Sequence, residues 1–139
     1  MRLVIDTNVL VSAFLWKGKP GRLIELAAEK EIEIFTSRAL LDELAATLSK
    51  KKLIRPVAAT GLSAERILLQ YRRLATLVTA RQLAQQTSRD ADDDSVLACA
   101  LAAGADRIIS GDEDLLTLKY FQGIPITAPA QALRIIEGK

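Results

Sequence analysis

Short apolar runs of strand character, each followed by a stretch with helical spacing, recur along this chain, and that alternation narrows the fold more than any other feature. Arg2 to Asp6 (RLVID) reads as a buried strand, and Val9 to about Trp16 as a helix with Asn8 as its cap. KGKPG (Lys17 to Gly21) reads as a turn, and Leu23 to Lys30 as a second helix. Glu31 to Phe35 (EIEIF) alternates polar and apolar residues, the mark of a strand. Ser37 then opens a helix whose apolar side carries Leu40, Leu41, Leu44, Ala45 and Leu48, with Lys50 to Lys52 near its end favouring the dipole. Pro56 to Gly61 reads as an interruption, Ser63 to about Leu74 as a capped helix and Leu77 to Thr79 as a weak strand. An acidic turn over Ser88 to Asp94 leads into a helix from Ser95 to Ala103, stopped by Gly104 in a left-handed conformation. Arg107 to Ile109 and Ile124 to Thr127 are the remaining strands, and Ala130 to Glu137 a last helix. Such alternation predicts an α/β sandwich around a central, mainly parallel sheet. A length of 139 residues suits one compact domain over 1–139.

The chain contains no histidine. Serine and cysteine triads that rely on histidine are thereby excluded, with histidine acid–base catalysis and most zinc sites. Chemistry must run on carboxylates, lysine, hydroxyls or a bound cofactor. The single cysteine, Cys99, lies in an alanine-rich helical run and reads as a buried structural thiol. Apolar runs are short and broken by charge, which argues against a membrane span, and MRLVIDTNVL lacks the pattern of a secretory signal. A cytoplasmic protein is the expectation. Aromatic residues make up 4% of the chain, so the core must be aliphatic and stacking platforms for bases are scarce.

The acids fall at telling places. Active sites of parallel sheets lie beyond the carboxyl ends of the strands. Asp6 closes the first strand, Asp112 follows the strand at 107–109, and Asp93 or Asp94 stands at the amino end of a helix. Singly, each has an ordinary structural use, as a turn residue or a helix cap; together they would converge on one rim. Glu43 falls roughly 120° from the centre of its helix's apolar face, at the border of the buried side, where a plain surface glutamate is the simpler reading. Among Asp92, Asp93 and Asp94, the helix that follows supplies a phase. With Val96, Leu97 and Leu101 pointing inward, Asp93 lies roughly 20° from the inward direction, Asp94 about 80° and Asp92 about 120°. Asp93 is then the inner acid, Asp94 an outer one, and Asp92 a cap or a solvated residue. A hard divalent cation takes oxygen ligands, keeps several waters and lets an anionic phosphodiester approach a cluster of carboxylates. Metal-assisted phosphodiester hydrolysis needs no histidine. With four carboxylates committed to a metal the remaining surface is basic; Lys50, Lys51, Lys52 and Arg55 form its best patch, a candidate contact for an RNA backbone or simply a solvated helix end.

Four segments carry a resemblance. IDTNVL (Ile5 to Leu10), LLDEL (Leu40 to Leu44), DADDDSVLACAL (Asp90 to Leu101) and ISGDEDLL (Ile109 to Leu116) resemble, in order, the acidic motifs of PIN-domain nucleases, and the combination is similar to VapC-like toxins. The resemblance implies a Rossmann-like α/β/α sandwich, Mg²⁺- or Mn²⁺-dependent cleavage of RNA, homodimers and, for toxins, a cognate antitoxin. Carried over by motif, the acids are Asp6, Glu43, one of Asp92 to Asp94 (Asp93 by its place seven residues before Ala100) and Asp112. Asn8 and Ser110 match supporting polar positions, and Asp94 and Asp114 outer-shell ones. Ala91 stands where relatives often have proline.

Two rivals deserve statement. A haloacid-dehalogenase-type phosphohydrolase also begins with a strand ending in aspartate, but needs a second aspartate where this chain has Asn8. A domain of the same fold that binds RNA or acts as a scaffold without cleaving is the non-enzymatic alternative, against which the full set of acids argues.

Overall fold

The computed structural model describes residues 1–81 and 91–138, and of 91–93 the backbone alone. Its elements, in chain order, are β1 (Arg2–Ile5), α1 (Thr7–Leu15), α2 (Gly18–Ala28), β2 (Glu33–Thr36), α3 (Arg38–Leu48), a 3-10 turn (Lys51–Leu53), α4 (Ile54–Ala59), α5 (Ala64–Leu74), β3 (Thr76–Leu77), α6 (Ala91–Ala103), β4 (Arg107–Ile109), α7 (Glu113–Leu118), β5 (Tyr120–Phe121), β6 (Ile124–Thr127) and α8 (Pro129–Glu137). The strands form one sheet in the order β3-β2-β1-β4-β6-β5, parallel throughout except for β5. This is the expected α/β architecture.

Side chains alternate across the sheet with period two, and both faces are covered. Leu3, Ile5, Ile34 and Ile109 join a cluster with Leu10, Leu23, Leu44, Ile67 and Leu133 of α1, α2, α3, α5 and α8. Val4, Phe35, Ile108 and Ile126 pack on the other face against Leu97 and Ala100 of α6 and Leu115 of α7. Burial on both faces is why RLVI and RII read as nearly unbroken apolar runs. Arg2, at the entrance of β1, lays its guanidinium over the Phe35 ring at 4.3 Å and donates to the Ala103 carbonyl from Nε (3.0 Å) and Nη2 (2.5 Å), satisfying the carboxyl end of α6.

The chain leaves β1 on the β2 side, runs outward to β3, and returns across to β4 on β1's other flank. The carboxyl ends of β1 and β4 therefore bound the crevice where the winding direction reverses, the place where such sheets hold ligands.

Several boundaries differ from expectation, for physical reasons. α2 begins at Gly18 and α4 at Ile54, so Pro20 and Pro56 sit in first turns rather than in interruptions. A first-turn proline lacks only an N–H that would have no partner within the helix. The turn before α2 shrinks to Trp16 and Lys17, with Lys17 at φ 58°. α1 is capped by Asp6, not by Asn8, which lies inside the helix. α3 ends at Leu48, so Lys51 and Lys52 belong to a separate turn. β2 and β3 are shifted by one or two residues from expectation, α6 begins at Ala91 rather than Ser95, and α7 and β5 were not expected. Ser37 and Ser63 do cap α3 and α5, and Gly104 does adopt φ +58°. No described helix is long and apolar enough to cross a membrane.

Candidate active site

β1 and β4 pair in parallel, Ile5 against Ile109, so the residues that follow them emerge side by side. The backbone continues the stitching: Asp6 N–H donates to the Ile109 carbonyl (3.0 Å) and Ser110 N–H to the Thr127 carbonyl of β6 (3.0 Å). Here β1 and β4 each turn from strand into helix, and both of these turns close on an aspartate.

Asp6 is 5% exposed. One carboxylate oxygen, Oδ1, accepts from the Val9 N–H (3.1 Å), and the other, Oδ2, accepts from the Ser110 hydroxyl. Ser110 is fully buried, and its Oγ also accepts the Asp112 N–H at 3.0 Å. One hydroxyl thus ties the two acidic turns together. Asp112 caps α7, its Oδ1 accepting from the Asp114 (2.8 Å) and Leu115 (3.3 Å) N–H groups. No hydrogen bond among the described residues uses its Oδ2. Burial, first of all, raises the Asp6 carboxyl above its ordinary range, and the charge of Asp112 raises it further; hydrogen bonds from Ser110, Val9 and Asn8 pull the other way.

The other sequence-predicted residues fall as follows. Asn8 is exposed, and what it gives Asp6 is its backbone N–H. Glu43 is half-buried on α3, in keeping with its place at the border of the apolar face. Asp94 is half-buried in the first turn of α6. The side chains of Asp92 and Asp93 lie outside the described residues, and so does Asp90. Leu101 does not point inward as the sequence suggests: it is 37% exposed while Cys99 and Ala103 are buried. α6 is buried around most of its described circumference, so its phase separates the three acids weakly. Asp114 is exposed; its backbone N–H, not its carboxylate, is what meets Asp112. Lys51, Lys52 and Arg55 are exposed on the 3-10 turn and α4, with Lys50 just before them.

Sequence reasoning missed Thr7, Thr36 and Ser37, three more buried polar residues at the carboxyl ends of β1 and β2. The Thr7 hydroxyl makes no hydrogen bond among the described residues. Their signal was visible as hydroxyl residues within two positions of the end of an apolar run. Cys99 is fully buried, and burial pushes its thiol up to about 12, which makes it the inert structural group expected.

Among the described residues no three acids stand close enough to hold a metal ion by themselves. The donor set nevertheless suits a hard cation. Its atoms are oxygens only, and the mutual charge of Asp6 and Asp112 raises Asp6, a repulsion that a cation relieves.

Comparison with known proteins agrees with this architecture. A family model described as PIN domain matches residues 2–114. The uncharacterized protein MJ1680 of Methanocaldococcus jannaschii is 30% identical over 120 residues, which cover 86% of this chain and 76% of that protein. A chain in the crystal structure of VapBC2 from Rickettsia felis, bound to a DNA fragment from their promoter, is similar in fold. Its TM-score is 0.61 at 16% identity, covering 91% of this chain and 97% of that one.

Proposed function

This chain belongs to the PIN-domain family, and from that premise we propose that it is an endoribonuclease that uses Mg²⁺ or Mn²⁺ to hydrolyse RNA phosphodiesters, serving as the toxin of a toxin–antitoxin pair. The observation that carries the reading is the Asp6–Ser110–Asp112 bridge at the reversal point of the sheet. Asp6, Asp112, Asp93 and Glu43 would hold the cation, with Asp94 and Asp114 in its outer shell. When bound, the cation supplies a nucleophilic water at neutral pH and shields the charge of the departing oxygen. The chain's own residues do the positioning. Ser110 holds Asp6 Oδ2, the first turn of α1 holds Oδ1, and the first turn of α7 holds Asp112 Oδ1. Both carboxylates thus meet a ligand in one prearranged geometry. Lys50, Lys51, Lys52 and Arg55 are the proposed contacts to the RNA backbone, and Asn8 supports the rim through its N–H.

The fold shared with a chain of the VapBC2 structure supports a cognate antitoxin as partner, and a homodimer is part of the same reading. The test is direct. Purified protein should cleave RNA in Mg²⁺ or Mn²⁺ and stop in EDTA; full cleavage in EDTA would overturn the metal-dependent reading. Binding of RNA without cleavage under any metal would favour the non-enzymatic alternative. Expression without an antitoxin should slow bacterial growth, and growth equal to that of an Asp6→Asn strain would remove the toxin role while leaving the nuclease standing.

A further inference from the structure

A second feature lies on the same rim, on the other flank of β1. β2 pairs with β1 in register, Phe35 against Val4, so Ser37, the residue after β2, stands at the level of Asp6. β3 lies beyond β2, and the chain leaving it stays on this rim through the Val78 N–H, which donates to the Thr36 carbonyl at 2.8 Å. Between the first turn of α3 and residues 77–80 lies an open groove of about 410 Å³. Apolar side chains, Leu77 and Val78 among them, share its lining with the polar groups of Ser37, Arg38, Asp42 and Thr79. Leu77 is 55% exposed, an unusual state for leucine in a strand of a sheet covered on both faces elsewhere.

We propose that this groove takes the nucleobase of the RNA nucleotide next to the bond that is cut, and so contributes sequence preference. The proposal rests on the ribonuclease reading above. Two strand spacings, roughly 10 Å, separate β3 from β1, within reach of a neighbouring nucleotide whose scissile phosphate lies at Asp6. Single-stranded RNA is recognised by bases splayed into pockets and stacked on flat groups. No aromatic residue lines this groove, and the flat group it offers is the Arg38 guanidinium, whose side chain is 88% exposed at the rim. Charge is complementary as well. Arg38 is ion-paired with Asp42 at 3.7 Å, and Arg81, exposed and next in the chain after Ala80, adds a positive charge beside the groove, which suits a phosphate-bearing strand. A protein partner would find apolar walls here too, but the groove's place on the rim that carries Asp6 and Asp112 favours part of the substrate.

The experiment compares wild type with Arg38→Ala and Leu77→Ser on RNA oligonucleotides that differ only in the base on either side of the cleaved bond, in Mn²⁺. The expected result is a base preference in wild type and a loss on the order of tenfold in kcat/KM in each variant, mainly through KM and largest for the preferred base. Equal losses for every base, or no loss, would overturn the assignment. So would a Leu77→Ser change in sedimentation with the base preference intact, because that result marks a contact between protein chains. If wild type does not cleave, the ribonuclease reading fails by itself. The groove is then read by fluorescence anisotropy on the same oligonucleotides, where base-dependent binding lost in both variants supports it and base-independent binding overturns it.

Discussion

Two turns stand side by side at the carboxyl edge of the sheet, and they solve the same local problem with different surroundings. β1 passes into α1 through Asp6, and β4 passes into α7 through Ser110, Gly111 and Asp112. In both, an aspartate accepts backbone N–H groups at the start of a helix, as short acidic side chains do wherever a helix needs a cap. Asp6 follows its strand directly and is buried; the two intervening residues carry Asp112 further out, where it is half-exposed. Burial makes the first carboxyl reluctant to ionise, whereas the second keeps Oδ2 outside its capping bonds. Capping alone explains neither the burial of Asp6 nor the hydroxyl that joins the pair. A merely structural cap is cheapest at the surface, and two acids drawn together by a buried serine are better suited to sharing a cation.

Substitutions at the two turns should separate these roles. Asp6→Asn and Asp112→Asn should each lower RNA cleavage by on the order of a hundredfold to a thousandfold, since each would remove a ligand of the charge-stabilising ion. Asp93→Asn should match them and Asp94→Asn should fall short; a larger loss at Asp94 would shift the third acid by one position. If Asp112→Asn retained nearly full cleavage, the second turn would be a plain cap and the comparison would fail.

Next in size is the bridge. Ser110→Ala leaves Asp6 Oδ2 buried without its donor and should destabilise the fold by roughly 1.5–3 kcal/mol in chemical denaturation. An effect below about 0.5 kcal/mol would mean that the turns are held by their strands alone.

Asp6 itself should act in the opposite sense. Its folded carboxyl is raised above the ordinary value of 3.8, so ionisation is less favourable in the folded state than in the unfolded chain. The stability this group contributes is full below that ordinary value and is lost as pH rises through the higher folded value. In metal-free buffer at pH 7, Asp6→Asn should be more stable than wild type by on the order of 1 kcal/mol, and the gap should close on acidification. Asparagine also caps helices, so α1 keeps its start. Added Mg²⁺ should raise the melting temperature of wild type more than that of the variant.

The smallest effect is expected farthest from the pair. Replacing Lys50, Lys51, Lys52 and Arg55 by alanine should weaken RNA binding mainly at low salt and flatten its salt dependence. An unchanged slope would return the patch to ordinary solvated surface.

Much of this was legible in the sequence, because strand–helix alternation reports a parallel sheet and acids just after strands report its carboxyl rim. Other parts were not. α7 and β5, with six and two residues, are too short for any periodicity to show. Asn8 reads as the cap of α1 as readily as Asp6, because both residue types cap well and stand two positions apart; the end of β1, fixed by its pairing with β4, decides for Asp6. The Ser110 bridge depends on which strands are neighbours, a property of the winding that no local pattern contains. Leu101 misled the phase of α6 because an apolar residue was assumed to face inward, whereas a helix buried on most sides can leave a leucine at its outer margin.

The sheet also ends well. Its two outermost strands, Thr76–Leu77 and Tyr120–Phe121, are only two residues long. An open edge normally offers a row of unpaired backbone groups onto which a stray strand can add, the first step toward fibrils. Among the described residues each outer edge is only two residues long. Although half its residues are hydrophobic, neither described edge strand is long enough to template a long ladder.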